Sequence, residues 1–120
     1  MQTANSESVT ESCVPPVTEL ERSAEILHLL SDPTRLAILW LLREKERSVG
    51  ELAEALERPM PAISQHLSRL RAGALVESRR DGVRLYYSLH AESADHIRQL
   101  VTSVFELAEH LLYPNPPHHH

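Results

Sequence analysis

Asp81-Gly82 separates two β-prone runs, Leu75-Val76-Glu77-Ser78-Arg79-Arg80 and Val83-Arg84-Leu85-Tyr86-Tyr87-Ser88-Leu89. An Asp-Gly pair in that setting is a strong signal for a tight antiparallel hairpin. Everywhere else the apolar residues recur at helical spacing, so the expected class is mainly α with one β-hairpin.

The helices are read from periodicity and punctuation. Leu20, Ala24, Leu27 and Leu30 step by four, three and three residues between Val17 and Leu30. Ser31-Asp32-Pro33-Thr34 breaks this helix. Asp32 is placed to cap the next one, with Pro33 in its first turn. That second helix, to about Glu44, is apolar nearly all round (Leu36, Ile38, Leu39, Trp40, Leu41, Leu42), as a central core helix is. Ser48-Val49-Gly50-Glu51 has the form of a capping box and opens a short third helix. Pro59 and Pro61 mark a turn and a new start. From Met60 to about Ala72, Ile63, Leu67 and Leu70 line one face, and Gly73 is the expected terminator. A last helix is expected from about Glu92 to Leu112, stopped by Pro114, Pro116 and Pro117. The order is α-α-α-α-β-β-α. It divides the chain into a disordered arm over 1–16, one domain over 17–112 and a Pro/His-rich tail over 113–120.

Composition narrows the function. No apolar run approaches the ~18 residues of a membrane span. The N-terminus lacks the basic and apolar regions of a secretory signal. Cys13 is the only cysteine, which excludes an internal disulfide. A cytoplasmic protein is expected. Three glycines leave no phosphate-cradling loop, and no nucleophile–base pattern argues for an enzyme. The net charge of −5 hides a local reversal. Residues 1–57 carry −6, residues 58–84 carry +4 and residues 85–120 carry −3. A basic segment in an acidic chain suits an anion-binding surface confined to one side.

Two short helices around a tight turn, the second with small polar residues near its start, form a helix-turn-helix. Such a helix enters the major groove, where its exposed side chains meet base edges and phosphates. Ser64 and Gln65 suit that role, Gln by pairing bidentately with adenine, and Ser68 and Arg69 follow on the polar side. The hairpin then supplies a wing whose Arg79, Arg80 and Arg84 reach neighbouring backbone or minor groove. The competing reading is that these arginines form an ordinary solvated surface.

Leu30-Ser31-Asp32-Pro33-Thr34-Arg35-Leu36, Ser48-Val49-Gly50-Glu51-Leu52-Ala53, Ile63-Ser64-Gln65-His66-Leu67-Ser68-Arg69-Leu70 and the Arg-Arg-Asp-Gly wing ending Tyr86-Tyr87-Ser88-Leu89 together resemble the ArsR/SmtB family. The resemblance covers about residues 20–112. It implies a winged helix-turn-helix repressor, a homodimer that binds double-stranded operator DNA, no membrane partner, and release on binding a metal ion. It puts DNA contacts at Ser64, Gln65 and the wing arginines. His66, near the Ile63–Leu67 stripe, is expected to be packed and hydrogen-bonded. For Arg35 a structural hydrogen bond and a phosphate contact stand level.

Thiolate metal sites are excluded because the third and fourth helices carry no cysteine. The last helix lacks the Asp-x-His of the zinc-type site, having Asp95-His96 instead. His96-Ile97-Arg98-Gln99-Leu100-Val101, with Ala108-Glu109-His110 and a His pair eight residues further on, resembles the Kmt-type nickel/cobalt-sensing branch. That resemblance implies His96, Glu109, His110, His118 and His119 as ligands, for nickel or cobalt with zinc as an alternative. Helical spacing by itself favours Glu106, one turn before His110. His96 and His110 lie ~21 Å apart along a helix but on nearly one face. One ion therefore joins them only between antiparallel helices of two subunits. The three terminal histidines also read as the start of a tag, and His96 and His110 also read as ordinary surface residues. A winged-helix repressor with a non-metal effector is the alternative function.

Overall fold

The computed structural model describes residues 13–114. Most of the expected arm (1–12) and tail (115–120, with His118 and His119) lies outside the described residues. Residues 13–16 are exposed and without regular structure. The elements are α1 (Val17–Leu29), α2 (Pro33–Leu42), β1 (Arg47–Ser48), α3 (Val49–Leu56), α4 (Met60–Ala72), β2 (Val76–Asp81), β3 (Arg84–Leu89), a single 3₁₀ turn (Ala91–Ser93) and α5 (Ala94–Leu112). The order anticipated from sequence holds, with one addition. Arg47-Ser48 pairs with Tyr86-Tyr87 of β3, making a three-stranded antiparallel sheet in the order β1-β3-β2. Two residues are too few to show an alternating pattern, so this strand had no signature of its own.

Local chemistry sets most boundaries. Asp32 accepts from the Arg35 backbone N–H (3.0 Å) at the start of α2, with Pro33 in the first turn. Ser48 and Glu51 complete the capping box: the Glu51 N–H donates to Ser48 Oγ (3.0 Å) and the Ser48 N–H to Glu51 Oε1 (2.8 Å). The hairpin loop is Gly82-Val83, flanked by the Asp81–Arg84 pair. Positive φ falls on Gly82 alone, as in a type II′ turn.

The helix ends hold a surprise. In α4 the Leu75 N–H bonds to the Leu70 carbonyl and the Ala74 N–H to that of Arg71. This is a Schellman ending, and the left-handed residue in it is Ala74 (φ 64°), not Gly73. A Cβ at Gly73 would meet Leu29 Cδ1, the far end of a side chain packed against it from α1. The α3 ending repeats the pattern, with Glu57 (φ 55°) left-handed and the Arg58 N–H bonded to the Ala53 carbonyl.

The core lies where α2, α3, α4 and the start of α5 meet the sheet. Ile38, Leu39, Leu52, Ile63, Leu67, Leu70, Val76 and Val101 are fully buried. α2 contributes three buried apolar side chains, Ile38, Leu39 and Leu42, as its apolar circumference anticipated, and also buries Arg35. By contrast α1 buries none. Its end is fixed to α4 by Leu29 against Gly73 and by Arg22, which donates to the Gly73 carbonyl (2.9 Å). α5 buries only Ile97 and Val101, and leaves Leu107, Leu111 and Leu112 well over half exposed. Among the described residues no helix is long and apolar enough to cross a membrane.

Candidate nucleic-acid interface

α4 carries its buried stripe on Ile63, Leu67 and Leu70, so helical geometry turns Ser64, Gln65, Ser68 and Arg69 outward, and all four are exposed. A groove of about 570 Å³ separates the start of α4 from the wing, lined by Met60 and Ser64 on one side and by Val83, Arg84 and Leu85 on the other. Gly50, Glu51 and Glu54 of α3 close its end. Met60, half exposed at the head of α4, was not singled out from sequence. An apolar residue next to a proline carried no signal for DNA.

The wing arginines do not form one patch. Side chains alternate along a strand, and directly paired residues share a face. Arg79 and Arg84 therefore lie on one face of the hairpin and Arg80 on the other. Arg79 is engaged: its Nε and Nη2 donate to the two carboxylate oxygens of Glu46 (2.7 and 2.8 Å), and its guanidinium lies 4.8 Å from the Tyr86 ring centre. The Arg79 fork lowers the pKa of the Glu46 carboxyl, and the carboxylate in turn raises that of the guanidinium. Arg80 and Arg84 are exposed.

Behind α4 sits a polar cluster. Arg35 is buried, and its Nε donates to the Leu29 carbonyl (2.7 Å). Its Nη1 lies 3.3 Å from His66 Nδ1, and His66 Nε2 lies 3.7 Å from Asp32 Oδ2. His66 is thus packed and hydrogen-bonded, and Arg35 makes structural bonds. The Asp32 carboxyl is held below its usual range, first by the hydrogen bond from the Arg35 N–H and further by the Arg35 charge, with burial opposing.

The candidate metal ligands lie on α5. His96, Glu106, Glu109 and His110 are all exposed, and they make no side-chain hydrogen bond or ion pair among the described residues. No group of three potential ligands converges there within one protomer among the described residues. Glu106 and Glu109 both border a groove beside Trp40, Phe105 and Tyr113. Asp95, next to His96, pairs with Arg98 (2.8 Å), whose Nε donates to the Arg43 carbonyl (3.0 Å).

A recognition helix, a preceding helix across a tight turn and a two-stranded wing define a winged helix-turn-helix protein. Residues 30–79 match a helix-turn-helix domain family. The chain is 46% identical over 96 residues, 80% of its length and 71% of the relative's, to the HTH-type transcriptional regulator KmtR of Mycobacterium tuberculosis. It is 41% identical to the HTH-type transcriptional repressor SmtB of the same species, over 69% of this chain and 62% of that one. The solution structure of the homodimeric winged helix-turn-helix DNA-binding domain Mb0332 of Mycobacterium bovis superposes with a TM-score of 0.72 at 30% identity, covering 98% of this chain and 100% of that one. The chain belongs to the ArsR/SmtB family of winged helix-turn-helix transcription regulators. It is a regulator, not an enzyme.

Proposed function

We propose that this protein is a cytoplasmic, metal-responsive transcriptional repressor that binds operator DNA as a homodimer and leaves it when nickel or cobalt, or zinc, binds. The observation that carries the reading is on α5. Exposed imidazole and carboxylate groups stand near both ends of a helix whose outer apolar residues are left uncovered by its own domain. Uncovered Leu107, Leu111 and Leu112, with Val17, Leu20 and Leu27 of α1, give a second copy an apolar surface to cover. His96 and His110 are 14 residues apart on this one helix, or ~21 Å, so two copies packed antiparallel bring His96 of one protomer towards Glu109 and His110 of its partner. His118 and His119 complete the proposed set. Imidazole and carboxylate donors without thiolate suit Ni²⁺, Co²⁺ or Zn²⁺. Glu106 remains a rival to Glu109, since both border the same groove.

On the DNA side, Ser64 and Gln65 read base edges, Ser68 and Arg69 approach the backbone, and Arg80 and Arg84 of the wing contact phosphate. Arg79 joins them only by exchanging Glu46 for a phosphate. The ligands fix how the two α5 helices pack, and that packing sets the spacing of the two recognition helices. Metal and operator therefore oppose one another reciprocally.

The test is a mobility shift on the protein's promoter DNA with EDTA, Ni²⁺ or Co²⁺, joined to the d–d absorption of the cobalt form. Release by nickel or cobalt with a weak, octahedral-like spectrum supports the reading. An intense tetrahedral spectrum moves it to zinc. DNA binding that ignores all three ions moves it to a non-metal effector.

A further inference from the structure

We infer that His66 is a positioning residue for the recognition helix, and that its neutral, Nε2-protonated form is the one that holds α4 for operator binding. The inference rests on the DNA-binding part of the reading above and not on the metal part.

The argument starts from Arg35. A guanidinium stays protonated in proteins, so Nη1 offers only hydrogen. It lies 3.3 Å from His66 Nδ1, which must therefore supply a lone pair. The ring proton then sits on Nε2, facing Asp32 Oδ2 at 3.7 Å. The tautomer is set by these partners. Arg35 cannot turn away easily, because it is buried and its Nε is bonded to the Leu29 carbonyl. Asp32 cannot either, because it caps α2. The ring is thus the adjustable member of the cluster.

The cluster joins the recognition helix to the junction of α1 and α2. His66 follows Gln65 directly and is three residues from the buried Ile63. The charged groups facing it are Arg35 and Asp32 from the junction. On its own helix, Arg69 is the one charged residue within a turn, and it borders the groove against α1. A proton added at Nδ1 sets N–H against N–H. It removes the Arg35 contact and puts two cations together, while Asp32 lies beyond hydrogen-bond length from the other nitrogen. The ring must withdraw, and α4 loses a tie to the element that carries α1.

The sign of the resulting pH effect is diagnostic. A general gain of positive charge on acidification strengthens attraction to a polyanion. Positioning by neutral His66 works the other way.

The experiment measures metal-free protein, in EDTA, by mobility shift on a duplex selected from a random pool, between about pH 7.5 and about pH 5.5, where imidazoles titrate. H66N places an amide oxygen where Nδ1 stands and does not titrate; H66L fills the space and accepts nothing. Circular dichroism and thermal unfolding confirm that each variant is folded at every pH used. The expected result is a wild-type affinity that falls about ten-fold on acidification. H66L should be at least ten-fold weaker at pH 7.5, and H66N should rescue most of that loss with an affinity flat or rising towards pH 5.5. A wild-type affinity that rises on acidification overturns the inference, as does an H66N profile that follows the wild type, or H66L that binds normally. Failure of the folded wild type to select or bind any duplex at pH 7.5 overturns the DNA-binding reading itself, and this inference with it.

Discussion

Glu46 holds Arg79 in a two-pronged ion pair across 33 residues of sequence, occupying the guanidinium fork with a carboxylate where a DNA-binding wing would place a phosphate. The pair fixes the wing to the turn between α2 and β1. It also withholds one of the positive charges behind the net +4 of residues 58–84.

Replacing Glu46 by Gln should therefore free Arg79 for DNA. Affinity for any duplex should rise a few-fold, and the slope of log K against log salt should steepen by about 0.9, one additional phosphate contact. The same change in an Arg79→Ala background should do neither. A mobility-shift series from low to moderate salt checks both; an unchanged slope in E46Q would mean Arg79 does not reach the backbone.

Gln65→Ala should weaken operator binding by about 1–3 kcal/mol and binding to random DNA far less, because a base-edge contact discriminates between sequences. Arg80→Ala with Arg84→Ala should weaken both DNAs together and flatten the salt slope. Parallel titrations on the two duplexes separate these outcomes. Equal losses for Gln65→Ala would confine that side chain to the backbone.

Glu57→Gly and Ala74→Gly should each stabilise the fold, by about 0.5–1 kcal/mol. Each relieves a side chain from the left-handed region, where a Cβ costs roughly 1–2 kcal/mol, and gives back part as added freedom of the unfolded chain. Urea unfolding midpoints report the change, and a lower midpoint in either variant would contradict it.

Asp32→Ala should cost about 1 kcal/mol at pH 7 through loss of the α2 cap. The folded carboxyl titrates below its ordinary 3.8. Its contribution is therefore complete above that value, and it fades as the pH falls through the lowered one. The gap between wild type and variant should close only in strong acid. A gap that already closes near neutrality would contradict this.

Much of this was legible in the chain. Asp32, Pro33 and Ser48 with Glu51 act on neighbours within a few residues and marked their elements correctly, and Asp81-Gly82 marked the hairpin with its loop shifted by one residue to Gly82-Val83. The outward turn of Ser64, Gln65 and Ser68 followed from the spacing of Ile63, Leu67 and Leu70. What escaped was long-range or geometric. Nothing near Arg79 announces Glu46, and nothing near Arg35 announces His66, 31 residues on. Gly73 ends α4 as expected, but the left-handed residue of that ending is Ala74, which no residue type announced. The proposed α5 ligands meet only between two subunits, so one chain's sequence supplies half of their geometry.

Trp40 is the sole tryptophan, its ring stacked on Phe105 of α5 at 4.5 Å and 16°, with the Arg43 guanidinium 3.8 Å from its centre. The indole thus sits at the joint between the core helix and α5, lining the groove that Glu106 and Glu109 border. Excited beyond tyrosine absorption, this protein emits from a single indole whose stacking partner, Phe105, belongs to the moving part of the proposed switch. A shift of α5 that unstacks Phe105 wets the ring and reddens its emission, whereas a motion confined to the wing leaves the colour alone. The chain carries its own optical label, placed where allosteric change can be watched without attaching a dye.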